Sequence, residues 1–150
     1  MALESVATIL ERTTLSTIQD WYERVLRNDG LKAIPMTREQ RCAHLPQVFR
    51  DLVSRLRSPT VPGTEAHHSE RAVEHGIARH NQGYSAAMMV DESGMLEVSI
   101  YNSLHVNRGS IDSYRLLLDV MTIADEVDAQ LSCAVASYVA ESHRTSRSEL

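Results

Sequence analysis

Apolar residues recur along nearly the whole chain at steps of three and four, and no stretch alternates convincingly at period two, so the pattern predicts helices throughout. A first helix is expected over residues 2–27, where Leu3, Val6, Leu10, Ile18, Tyr22 and Val25 recur with that step and Thr13-Thr14 leaves it ambiguous. Asn28-Asp29-Gly30 ends this helix, because Asn and Gly accept the left-handed conformation that a helix C-terminus favours. Thr37-Arg38-Glu39-Gln40 has the form of a capping box. Pro46 falls inside the helix that the box opens. It predicts either a kink or a short helix followed by a second one, carrying Val48, Phe49, Leu52, Val53 and Leu56. Ser58 to Gly63 reads as a loop. Thr64 is expected to cap a third helix over 65–82 that Gly83 stops, and Ser85 a fourth that reaches about residue 106.

A turn at Asn107 to Ser110 leads into the longest helix, with Ser110 and Asp112 suited to its start. Leu116, Val120, Ile123, Val127, Leu131, Ala134 and Tyr138 form one seam along it, on the order of 40 Å long. Tyr114, Leu117, Leu118 and Met121 lie off that seam, so the first half is apolar nearly all round. Such a helix is buried in the middle of a fold or shared between subunits, and these four residues are the candidate dimer interface. Residues 141–150 are expected to form a flexible tail. The pattern therefore predicts an all-α fold of five or six helices in a globin-like or helical-bundle arrangement, as one domain over 1–140.

Composition narrows the function. At 150 residues and 43% hydrophobic content the chain is long enough to bury a core without disulfide or metal. It contains one Phe and one Trp, which leaves the core to aliphatic side chains. The net charge is −5 and arginines alternate with acids, so no basic stripe offers a nucleic-acid surface. No apolar run approaches the roughly 20 residues of a membrane span, and the N-terminus has an acid and no basic segment, unlike a secretory signal. Cys42 and Cys133 are far apart and read as reduced thiols of a cytoplasmic protein. No nucleophile elbow, Walker loop or dinucleotide fingerprint occurs, so no catalytic residue is assigned.

The segment from His67 to His80 is rich in histidine, but its spacing argues against a metal. Two ligands on one helix face stand three or four apart, whereas His68 and His75 are seven apart and His75 and His80 five apart. A helical projection puts Val73, Ile77 and His80 on one side. His68, Arg71, His75 and Gln82 point the opposite way, Arg79 lies at their edge, and Ala72, Gly76 and Gly83 form a small-residue stripe between. His75 then belongs to a solvated polar face, and His80 is a core histidine. In the next helix Glu92 falls between Met88, Met95 and Leu96, on the side expected to face the core. A carboxylate there needs a partner, for which Arg79 or His80 is placed, unless the helix turns to bring Glu92 to its rim.

The run His75-Gly76-Ile77-Ala78-Arg79-His80-Asn81-Gln82-Gly83-Tyr84-Ser85, with Glu92 and Leu96 following, resembles the N-terminal sensor domain of RsbRD-type stress-response regulators. A similar module precedes the catalytic parts of some bacterial sensor histidine kinases. Trp21 in the first helix fits the same likeness, which covers residues 15–135. The resemblance implies an all-helical sensory domain that usually lacks haem and acts through protein contacts. It carries His75, Arg79, Tyr84 and Glu92 over as a ligand or interface site. The partners it implies are a sigma-factor regulator, a STAS protein or a histidine kinase. Family members usually carry an output domain after the sensor; this chain ends first, which leaves action in trans or a degenerate copy open. The expectation is a non-catalytic, dimeric signalling domain without cofactor. The alternative is a globin-like binder of haem or a small ligand, with a helix histidine as axial ligand.

Overall fold

The computed structural model describes residues 2–58 and 69–149, and all of its regular elements are helical. In chain order they are α1 (Val6–Arg12), α2 (Thr14–Leu26), α3 (Asp29–Ala33), α4 (Arg38–Cys42), α5 (Leu45–Arg57), α6 (Glu70–Asn81), α7 (Ala86–Val106) and α8 (Leu116–Ser148). Two short 3₁₀ turns, Arg108–Ser110 and Ser113–Arg115, join α7 to α8. The fold is all-α with a long C-terminal helix, as the periodicity predicts, although it has more segments than five or six.

The extra segments have local causes. Thr13 ends α1, and its hydroxyl donates to the Ile9 carbonyl at 2.7 Å while Thr14 donates to the Leu10 carbonyl at 2.8 Å. Such back-bonding by adjacent threonines competes with the helical ladder and bends the chain. Asn28 does not close α2 in a left-handed conformation. Its side chain instead accepts from the Leu31 amide at 3.0 Å and opens α3. The capping box at Thr37 forms as read, and Pro46 sits in the first turn of α5, where a missing amide costs nothing. Ser69 caps α6, accepting from the Ala72 amide at 3.2 Å. The predicted cap Thr64 and residues His67 and His68 lie outside the described residues. Gly83 has φ +94°, a left-handed turn that suits glycine and separates α6 from α7.

The core runs through Leu10, Trp21, Leu31, Phe49, Leu52, Met89, Ile100 and Ile123, all essentially inaccessible. Helix α8 packs along α6 and also touches α5 and α7. The α6–α8 crossing is close because Gly76 has no side chain: a Cβ there would stand 2.0 Å from the Ala134 carbonyl oxygen. From the predicted seam of α8, Ile123, Val127 and Ala134 are buried and Leu116, Leu131 and Tyr138 half-buried. The tail expected beyond residue 140 is instead helical to Ser148. Glu141 is buried there and Arg144 grips it through Nε at 3.1 Å and Nη2 at 2.5 Å. At 33 residues, α8 is about 50 Å long rather than 40 Å. Among the described residues, no helix is long and apolar enough to cross a membrane.

Candidate functional site

A buried arginine organises the site. Arg79, near the end of α6, is 1% exposed. Its Nε donates to Glu92 Oε1 at 2.9 Å, Nη1 to Gln82 Oε1 at 2.8 Å, and Nη2 to the Arg41 carbonyl at 2.8 Å. Its guanidinium lies 4.8 Å from the centre of the Tyr84 ring. One side chain thus ties α6 to α7 and to the end of α4, with its charge matched and its donors engaged. Of the two partners foreseen for Glu92, the structure selects Arg79. His80 is half-buried against Tyr138 on α8, with ring centres 5.1 Å apart edge to face, and makes no contact with Glu92.

Glu92 is 3% exposed in the middle of α7. Its backbone carbonyl accepts from Trp21 Nε1 at 3.0 Å, which pins α2 against α7 at this level. Its Oε1 also meets His75 Nε2 at 3.1 Å, whereas Oε2 is buried with no close hydrogen bond among the described residues. Burial pushes the Glu92 carboxyl upward, but the His75 hydrogen bond and the Arg79 charge outweigh it and hold the group below the ordinary carboxylate range. Tyr84 is buried against Arg79, and burial together with the nearby Glu92 charge raises its phenol to about 12. Its carbonyl accepts from Tyr138 Oη at 2.6 Å, so the turn after Gly83 is fastened to α8.

His75 corrects the helical projection. It does not face solvent: it turns inward to Glu92 and stacks on His44, with ring centres 3.8 Å apart and planes 18° from parallel. The projection ranked faces by hydrophobicity. The α6–α8 contact ranks them by size, so Ala72 and Gly76 go inward and draw Arg79 and His75 with them. Val73 and Ile77, the apolar side, are only half-buried.

His44 is the residue that periodicity did not single out. It sits at the junction of α4 and α5, where Pro46 forces a new helix, and that break aims its ring at α6. Burial and the neighbouring His75 and Arg79 charges depress its pKa well below the usual histidine value. Its Nδ1 is buried and has no close hydrogen-bond partner among the described residues.

Of these groups His44, His75 and Glu92 form the polar end of a narrow pocket with a cavity volume of about 60 Å³. Trp21 from α2, Val48 from α5, Ala72 from α6, and Met89 and Leu96 from α7 line it, and Val127, Leu131 and Ala134 of α8 close the far wall. Gln130 also reaches it, donating to Glu126 Oε2 at 2.8 Å and thereby joining the network in which Arg55 holds Asp125 and Glu126. A mostly apolar cleft with a few convergent polar groups suits a small ligand.

Thus His75, Arg79, Tyr84 and Glu92 come together. Apart from them, Tyr114 in the 3₁₀ turn before α8 and Leu117, Leu118 and Met121 in its first turns have 93%, 75%, 40% and 50% of their surface exposed. The Glu4 amide donates to the Ser110 carbonyl at 2.7 Å, which brings the N-terminal segment to the same end of the molecule. No family model matches this chain, and no curated protein or solved structure is significantly similar to it.

Proposed function

We propose that this chain is a non-catalytic sensory domain of the RsbRD type, which binds a small ligand in the pocket beside Glu92 and passes the event on through α8 by protein contacts. The observation that carries this reading is that α8 supplies one wall of the pocket and also an uncovered apolar face. Four large apolar side chains grouped on one helix end are expensive to leave in water, and they suit a second copy of the chain or a signalling partner such as a sigma-factor regulator, a STAS protein or a histidine kinase. A buried charge network next to an apolar cleft supports ligand recognition, because Arg79 already fixes Glu92 at its edge and so lowers the ordering cost of binding.

Ligand-observed NMR on the full chain with a library of small fragments tests this reading. Ser93 lines the pocket from α7, so Ser93→Phe fills the space. Fragments should bind the parent chain and not S93F. Equal binding to both, or binding to neither, counts against the pocket.

A further inference from the structure

The polar end of the pocket contains more electron-pair donors than its own hydrogen bonds use. His44, His75 and Glu92 each offer a ligand atom, and all three atoms lie within 4.8 Å of one another. Glu92 is 3% exposed, lines the pocket, and among the described residues has no close hydrogen bond to Oε2. Each of the three residues comes from a different part of the chain: the α4–α5 junction, α6 and α7. No single-helix spacing rule would find them, which is why the histidine-rich run of α6 alone argues against a metal.

We propose that His44, His75 and Glu92 form a binding site for a divalent transition-metal ion of the zinc class, deepening the sensor reading above and resting on it. The ligand set is two imidazoles and one carboxylate, which suits Zn²⁺, Co²⁺, Ni²⁺ or Cu²⁺ rather than Mg²⁺ or Ca²⁺. An ion held at about 2.1 Å by each ligand keeps its ligands about 3.4 Å apart, and the three ligand atoms now lie within 4.8 Å of one another, so they need draw together only slightly. The two imidazoles are stacked with planes 18° from parallel, so as they stand they do not both aim at one ion. Rotation of each ring about its Cβ–Cγ bond makes them converge, and this torsion is soft. Glu92 gives Oε2 to the ion and leaves Oε1 to Arg79 Nε. Three protein ligands leave further coordination positions open toward the pocket, for water or a ligand group.

Arg79 sets the strength of the site. Its charge cancels that of Glu92, so the ion enters surroundings without net negative charge and binds more weakly than at a structural zinc site. That suits reversible occupancy. Binding must also turn two rings that touch α6 and the α4–α5 junction, and both elements border the pocket wall formed by α8.

The test is a titration of the full chain with Co²⁺ in chelator-free buffer, followed by visible absorption and by competition with Zn²⁺. The expected result is one Co²⁺ per chain with a visible spectrum that Zn²⁺ abolishes. His44→Gln and His75→Gln should each weaken binding at least tenfold, while His80→Gln, at the Tyr138 contact outside the cluster, should leave it unchanged. Circular dichroism of each variant confirms that it is folded. Absence of cobalt binding by the parent chain, or binding that persists in both H44Q and H75Q, overturns the metal site. If pocket fragments still bind when cobalt does not, the metal alone is lost; if neither binds, the pocket reading falls with it.

Discussion

Replacing Gly76 with alanine should destabilise the protein even though alanine is the better helix former. The new Cβ would stand 2.0 Å from the Ala134 carbonyl oxygen and 2.0 Å from Ser137 Oγ, with the Ala134 carbonyl carbon at 2.9 Å. Ser137 can rotate away, at the loss of its 2.9 Å hydrogen bond to the Val73 carbonyl. The Ala134 carbonyl belongs to the α8 backbone and cannot. Non-bonded heavy atoms rest about 3.5 Å apart, so α6 and α8 must separate locally by about 1.5 Å. Overpacking of this kind costs about 1–3 kcal/mol, and its upper end applies where backbone opposes backbone. The gain in helix propensity returns about 1 kcal/mol. The net expectation is a loss of about 2 kcal/mol, read from urea unfolding with an unchanged slope. Gly94 supplies the control, because it lies within α7 and a Cβ there meets nothing within 4 Å. Gly94→Ala should stabilise by about 0.5–1 kcal/mol. A Gly76→Ala protein as stable as the parent would refute the close α6–α8 crossing and, with it, the reason Arg79 and His75 face inward.

Three further substitutions test separate parts of the account. Glu92→Gln leaves the Arg79 guanidinium buried without its counter-charge, and should cost about 3 kcal/mol in urea unfolding at neutral pH. Glu97 pairs with Asp128 across α7 and α8, and burial, followed by the hydrogen bond and charge of Asp128, raises it to about 7 from 4.5. The folded chain therefore binds this proton more tightly than the unfolded chain, and stability falls as pH rises from about 4.5 to about 7. Glu97→Gln should melt higher than the parent at pH 8 and match it near pH 4. The gain should stay well under about 1 kcal/mol, since water screens this half-exposed pair. Leu117→Asp, at a position 75% exposed, should leave the monomer's unfolding within about 0.5 kcal/mol of the parent while lowering self-association measured by sedimentation.

The parts of the fold that local chemistry governs were legible in the sequence. The capping box at Thr37, the Gly83 stop, the Ser85 cap and the apolar seam of α8 each follow from one short pattern, and each is present. The Arg79–Glu92 pair was legible only in part: a carboxylate on a core-facing position demands a partner, but the sequence offered Arg79 and His80 alike and left a rim position for Glu92 open. What escaped the pattern depends on contacts between distant segments. Asn28 offers the same side chain to a helix end or a helix start, and packing of α3 against α2 and α7 decides between them. The inward turn of His75 required the α6–α8 contact, which hydrophobicity alone misranks. His44 required the placement of α4 and α5 against α6. Beyond Ala140 the sequence is polar and reads as a tail, yet the buried Glu141 and its Arg144 partner carry the helix on.

Sedimentation equilibrium of the parent chain and of Ser93→Phe, compared over a range of protein concentrations, examines the link between pocket and α8 without any ligand identified. Coupling between two sites usually amounts to about 1–3 kcal/mol. With the pocket occupied by the introduced ring, the association constant should therefore change at least about fivefold. Identical association constants for two equally folded proteins would contradict the claim that this cleft governs what α8 does.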